Sequence, residues 1–242
     1  MNAALLDQDG YFFNRFTSVE VMSSLKHLKN GKSPGQDGIY SEHFKLAHDK
    51  VSIILSLLFN AMIIHGYLPE KVMDTILTPI VKDKKGNITD SDNYRPVAIA
   101  CVSSKMFELL LLSRCSDSIN TTPNQFGFKA KLGADLCVYS FKQVVEYYKS
   151  LSSPVYVAYL DASKAFDKVN HYHLMFKLLK CGVPVIIVRL LYFWYQNQNF
   201  IIRWGGCLSD SFTVCNGVRQ GSIASPLFFN VYLNELSIEL ND

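Results

Sequence analysis

An α+β fold is predicted for this chain of 242 residues by three observations. Apolar residues recur at helical spacing in several separate stretches, the first carrying Val21, Leu25 and Leu28. Two β-rich runs, Asp74–Lys82 and Tyr94–Ala100, flank a polar, glycine-containing stretch as the strands of a hairpin do. A third run, Val155–Leu160, is β-branched and aromatic and ends abruptly on a carboxylate, Asp161. Helices, a hairpin, then helices around a strand make a mixed pattern that leaves the topology open.

Taken in order, Thr17-x-x-Glu20 reads as a capping box before the first helix, which Gly31 closes. Lys32 to Gly38 (KSPGQDG) is a Pro/Gly-dense turn, and an ordinary loop is its plainer meaning. Ser41 to Ile64 reads as one long helix stopped by Gly66 and Pro69, with Val51–Ile64 buried. After the hairpin, Ser103 and Ser104 open an apolar helix over Met106–Leu112. A turn-like stretch, Asn120–Lys131, precedes an amphipathic helix from Ala134 to Lys149 with Val138, Phe141, Val145 and Tyr148 on one face. Beyond the Asp161 strand, His171–Lys180 and Val185–Tyr195 read as two helices joined by Cys181 to Pro184. Phe200–Trp204 and Ser211–Cys215 form a hairpin around Gly205 and Gly206, and a last helix runs from about Ser225 to Leu240.

Hydrophobic residues at 49% and charged residues at 19% describe a globular chain with a sizeable core. A net charge of +3 permits a nucleic-acid partner only through a local basic groove. The six cysteines show no CxxC and no zinc-like histidine spacing, so reduced and mostly buried thiols in an intracellular protein are expected. The first residues lack a basic and a long apolar region, which argues against a secretory signal. The stretch Val51–Ile64 is too short to span a bilayer.

Asp161 is open to two meanings: a cap for the following turn, or a charge held at the mouth of a sheet. A strand-end carboxylate suits hard divalent cations, which take oxygen ligands together with substrate phosphates. Lys82 and Arg95, near the two strands of the hairpin, can clamp a phosphate or serve as solvated edge charges. Phe166 can wall a substrate or fill the core. Gln220-Gly221 offers a backbone that a ligand can approach closely, or simply a turn before the last helix. Asp167 can cap or pair. Two-metal phosphoryl transfer would use such parts together.

Six blocks in one order then carry a resemblance: Ser33-Pro34-Gly35-Gln36-Asp37-Gly38, Thr78-Pro79-Ile80-Val81-Lys82, Asn93-Tyr94-Arg95-Pro96-Val97, Gln125-Phe126-Gly127-Phe128, Asp161-Ala162-Ser163-Lys164-Ala165-Phe166-Asp167, and Gly217-Val218-Arg219-Gln220-Gly221-Ser222 followed by Ser225-Pro226-Leu227. Over about residues 30 to 235 the chain resembles the reverse transcriptase domain of LINE-like, non-LTR retrotransposons. The resemblance implies a right-hand polymerase fold with an N-terminal extension over 1–30, fingers over 31–150, part of a palm over 151–242, and no thumb. It makes Asp161 the first metal-binding catalytic aspartate, with the Ala162 carbonyl beside it as a ligand. Phe166 becomes the aromatic that excludes a ribose 2′-hydroxyl. Lys82 and Arg95 become the holders of the incoming triphosphate, and Gln220 and Gly221 the turn that borders nucleotide and template.

By the same resemblance the complete enzyme takes Mg²⁺, an RNA template, a DNA primer and deoxynucleoside triphosphates, without a membrane, in the cytoplasm or nucleus. One departure weighs against activity in these residues. The family's other acids form an aromatic-Ala-Asp-Asp block, and no Asp-Asp pair occurs in this sequence. Little or no polymerase activity is therefore expected of the chain as it stands. A non-catalytic nucleic-acid-binding remnant and a group II intron-type reverse transcriptase are the competing expectations.

Overall fold

The computed structural model describes residues 5–6 and 12–240, with side chains from 14 to 240. Most of the stretch assessed for a secretory signal, and the terminal Asn241 and Asp242, lie outside the described residues. Two short strands, β1 (Leu5–Leu6) and β2 (Phe12–Phe13), pair antiparallel. Helix α1 (Ser18–His27) begins with the expected capping box. The Thr17 backbone N–H donates to Glu20 Oε2 at 2.8 Å and the Glu20 N–H donates to Thr17 Oγ1 at 3.2 Å. Two otherwise orphaned donors are satisfied reciprocally. The helix ends at Leu28 rather than at Gly31, which turns the following loop with a φ of +67°.

The long helix expected from Ser41 is two: α2 (Ser41–Leu46) and α3 (Lys50–His65), separated where Ala47 is extended. Each half has different anchors. From α2, Ser41 Oγ and Lys45 Nζ donate to Lys29 and Leu28 carbonyls at the end of α1. Asn60 of α3 instead brackets the Phe16 backbone, accepting from its N–H and donating to its carbonyl, both at 2.8 Å. Nor is α3 buried all round. Leu55, Phe59, Met62 and Ile63 are buried, while Ile53, Ile54, Leu57 and Ile64 face outward. Gly66 closes it in the left-handed conformation, as expected.

A one-turn helix, α4 (Glu70–Met73), leads into β3 (Thr75–Val81), which pairs antiparallel with β4 (Tyr94–Ala100) in the expected hairpin. Helix α5 (Val102–Cys115) and helix α6 (Ala134–Ser150) follow. Then come α7 (His171–Lys180), α8 (Val185–Asn197), β5 (Asn199–Trp204), β6 (Cys207–Leu208), β7 (Phe212–Thr213) and α9 (Ser225–Glu239). β5 lies parallel to β3, with Ile76 opposite Ile201, so the strand order is β4-β3-β5-β6 with β7 also on β5. This mixed sheet with helices around it is the predicted α+β class. Its core runs through stacked aromatics, Phe59 on Phe107 at 5.1 Å and Phe107 on Trp194 at 6.0 Å.

Two expectations fail together. Val155–Leu160 is not a strand: the backbone there has no ladder partner among the described residues, and Tyr156 and Leu160 are 92% and 88% exposed. Helix α6 buries none of its residues, so Val138, Phe141 and Tyr148 face outward. A strand exists only with a neighbour to receive its hydrogen bonds. The cysteines also differ from expectation: all six are free, but only Cys101 and Cys115 are buried. No helix among the described residues is long and apolar enough to cross a membrane.

Candidate functional site

Four of the six sequence blocks are joined by hydrogen bonds and ion pairs at one place. The β3–β4 ladder continues past the strands, with the Lys82 N–H donating to the Asn93 carbonyl at 2.8 Å. The Lys82 ammonium folds back onto the Asp92 carbonyl at 2.8 Å. Arg95 lies opposite Ile80 in the hairpin and is exposed, with its guanidinium free of any ion pair among the described residues. From the DASKAFD block, Lys164 reaches the Asp92 carboxylate at 2.7 Å. The hydrogen bond to that ammonium, and its charge, hold the Asp92 carboxyl below its ordinary value; the same bond raises Lys164 above its own.

The end of the same block is sewn to the Gly217–Ser222 turn. Val218 N–H donates to the Phe166 carbonyl at 2.9 Å and Gly217 N–H to the Val169 carbonyl at 2.7 Å. His171 Nε2 lies 2.8 Å from the Gly217 carbonyl, and Gln220 Nε2 donates to Asp167 Oδ1 at 3.2 Å. Burial pushes the His171 imidazole below its ordinary value, the hydrogen bond to Gly217 opposing it. Asp167, open to capping or pairing in the sequence, therefore pairs with the turn. Above these contacts opens a cleft of about 250 Å³ lined by Leu77, Pro96, Asp167, Phe200 and the turn from Asn216 to Gln220.

The turn in turn sits on the hairpin. The Ala98 N–H donates to the Gln220 carbonyl at 2.6 Å. Gly221 has a φ of +112°, and a Cβ there would stand 2.8 Å from the Ala98 carbonyl oxygen. The close approach that glycine permits is thus made by β4 itself. Phe166 is half-buried against the core, its ring 4.8 Å from Phe229 on α9 and 5.8 Å from the exposed Phe128. Part of it is left accessible to solvent. The Gln125–Phe128 block reaches it by amide contacts with α9: Gln125 Nε2 donates to the Asn230 carbonyl at 3.1 Å, and Asn230 Nδ2 to the Gly127 carbonyl at 2.8 Å. The sixth block, Ser33–Gly38, lies elsewhere, pressed on the start of α5 with Gly35 against the Cys101 backbone.

Asp161 and Ala162 stand apart from this knot. Both are exposed, and Asp161 makes no hydrogen bond or ion pair among the described residues. No group of three or more His, Cys, Asp or Glu side chains that could hold a metal is gathered among the described residues. One solvent-facing carboxylate with a neighbouring carbonyl does not by itself fit the divalent-cation site that the resemblance implies.

Reasoning from sequence missed Glu108. It is 3% exposed on α5 and bound to Arg219, Ser222 and Ile223 beside the turn. Its signal was a single acid inside the apolar run Met106–Leu112. Asp92, Lys164 and His171 were also missed as joints, although Lys164 lies inside a recognised block.

A family profile described as reverse transcriptase (RNA-dependent DNA polymerase) matches residues 81–242. The chain is 29% identical over 227 residues to the RNA-directed DNA polymerase from mobile element jockey of Drosophila funebris, covering 91% of this chain and 24% of that protein. It is 29% identical to the probable RNA-directed DNA polymerase from transposon X-element of Drosophila melanogaster, over 91% of this chain and 25% of the relative. It is also 28% identical to the Pol polyprotein from the type-2 retrotransposable element R2DM of the same fly, over 93% and 20% respectively. The chain thus spans about a quarter or less of these relatives. With the profile covering most of its length and the ordered blocks meeting in the fold, the chain belongs to the reverse transcriptase family, on its non-LTR retrotransposon branch.

Proposed function

We propose that these residues are the fingers, about 31–150, and the first part of the palm, about 151–242, of an RNA-directed DNA polymerase. The longer protein would add deoxynucleotides to a primer on an RNA template. The observation that carries this reading is the joining of the hairpin, the DASKAFD block and the Gly217–Ser222 turn at one cleft. In it, Lys82 and Arg95 take the triphosphate, Lys as a point charge and Arg as a planar fork. Taking it requires Lys82 to leave the Asp92 carbonyl, an exposed contact that is cheap to exchange. Phe166, only partly covered by the core, bears on the sugar. Gln220 and Gly221 border the base, and their placement depends on the Asp167 and Ala98 contacts.

Reverse transcriptases generally use a divalent metal, and Mg²⁺ is the ion proposed here. Asp161 and the Ala162 carbonyl would be this chain's share of its ligands, the other carboxylates coming from the longer polymerase. The 242 residues alone are then a nucleotide- and nucleic-acid-binding unit with little or no catalysis, since losing part of a metal clamp costs orders of magnitude in rate. Primer extension on an RNA template with the purified chain tests this. Near-background extension is expected, together with salt-sensitive RNA binding that weakens in Lys82→Ala/Arg95→Ala. Robust extension abolished by Asp161→Ala would show the chain to be catalytically sufficient. RNA binding indifferent to both salt and the two substitutions would remove the binding role.

A further inference from the structure

We propose that Glu108, on α5, is a positioning residue whose carboxylate sets the Gln220–Gly221 turn against β4. The proposal rests on the reading of that turn as the border of the nucleotide site. Glu108 is 3% exposed, and an uncompensated charge so deeply buried is costly. Every hydrogen-bond partner its side chain has among the described residues lies on the far chain segment, on both sides of the turn. Arg219 Nη2 donates to Oε1 from one side; Ser222 Oγ to Oε1 and the Ile223 N–H to Oε2, each at 2.8 Å, from the other. Arg219 is itself fixed, its guanidinium 4.7 Å over the Trp194 ring and its Nη1 3.3 Å from Thr75 Oγ1.

Residues 220 and 221 are the only two of the segment without a bond to Glu108, and they are the two that meet β4. The Gln220 carbonyl accepts from Ala98, and Gly221 rides over the Ala98 oxygen. The carboxylate therefore acts as a clasp holding both ends of a two-residue bridge. The ion pair with Arg219 does not by itself account for a buried carboxylate, because an apolar pair of similar volume is often as stable or more so. What an apolar pair cannot supply is three directed acceptor contacts that fix the turn's register.

The test compares the wild-type chain with Glu108→Gln and with the double variant Glu108→Leu/Arg219→Met. Three quantities are read: the thermal midpoint, amide exchange at Ala98 and Ile76, and binding of deoxythymidine triphosphate. Ala98 reports the docked turn without touching Glu108, and Ile76, paired with both β4 and β5, reports the sheet. The double variant leaves the Ser222 hydroxyl and the Ile223 N–H without their acceptor and is expected to melt below wild type, yet to exchange Ala98 at least about tenfold faster with Ile76 changed far less. Its affinity for the nucleotide should fall in proportion to the fraction of molecules whose turn stays docked, so it drops measurably only where the open turn is a substantial share of the population. Wild-type protection at Ala98 in a double variant that folds overturns the proposal. If the double variant does not fold, Glu108→Gln decides: selective opening of Ala98 supports the clasp, and equal acceleration at Ala98 and Ile76 refutes it. If wild type binds no nucleotide while the variants still open Ala98, the positioning role stands and the nucleotide reading of the turn falls.

Discussion

Replacing Gly221 by alanine should be the costliest glycine-to-alanine change among the described residues, and the structure supplies its own controls. At Gly221 two penalties coincide: a φ of +112°, and a Cβ 2.8 Å from the Ala98 carbonyl oxygen, which is backbone and cannot swing aside. Positive φ costs a side chain about 1–2 kcal/mol. Forcing a methyl into a filled space adds about 1–3 kcal/mol. The sum is about 2–5 kcal/mol, a large part of a domain's total stability. Gly38 carries the backbone penalty alone, with a φ of +68° and nothing within 4 Å of a Cβ. Gly35 carries the steric penalty alone, its Cβ falling 2.7 Å from the Cys101 N and Cα atoms. Urea unfolding followed by tryptophan fluorescence measures all three, because Trp194 is 1% exposed in the core. The expected order is Gly221→Ala worst, Gly35→Ala next and Gly38→Ala mildest at about 1–2 kcal/mol. Equal losses for Gly221→Ala and Gly38→Ala would mean that the turn does not lie against β4.

Three further outcomes follow from burial and charge. The folded His171 imidazole, held below its ordinary value of 6.5 by burial, lets the unfolded chain bind the proton first as pH falls. Stability contributed by neutral His171 is thus present above that value and lost below it; the urea midpoint should drop between pH 7.5 and pH 5.5 in wild type and less so in His171→Gln, about one proton's worth of slope. Alkylation should modify Cys137, Cys207 and Cys215 in the native chain, while buried Cys115, its thiol pushed up to about 12 by desolvation, reacts only on unfolding. Replacing Tyr156, Tyr159 and Leu160 together by serine should reduce hydrophobic-dye binding and leave the urea-derived stability within about 0.5 kcal/mol, since all three are exposed. A larger loss would mean that the segment packs where the structure leaves it open.

What the sequence made legible was local. The capping box at Thr17 and the Gly66 stop depend on residues within a few positions of one another, and the β3–β4 hairpin joins two strands that follow one another in the chain. The parallel pairing of β5 with β3 joins Ile76 to Ile201 and has no local signature. The break at Ala47 was hidden because both halves keep helical spacing, and it is set by which neighbour each half bonds. Val155–Leu160 has the composition of a buried strand, but composition does not supply a partner. At the site, the ordered blocks pointed to Lys82, Arg95, Phe166, Gln220 and Gly221. The joints between them, Lys164 with Asp92 and Gln220 with Asp167, are pairings of side chains far apart in the chain, which spacing cannot reveal.

The contact between Gln220 and Ala98 also bears on whether another copy of the chain can add a strand to the sheet. β4 is the outer strand of the sheet, and its outward-facing backbone would ordinarily invite another chain to add a strand. Alternation along the strand turns the nitrogens of Pro96 and Ala98 to that same side. Proline has no hydrogen to give, and the Ala98 hydrogen is already taken by the Gln220 carbonyl. The middle of the edge is thereby silenced as a template for self-association. Whatever lifts the turn away from β4 restores one sticky donor there, so variants that loosen it should gather into oligomers before they unfold.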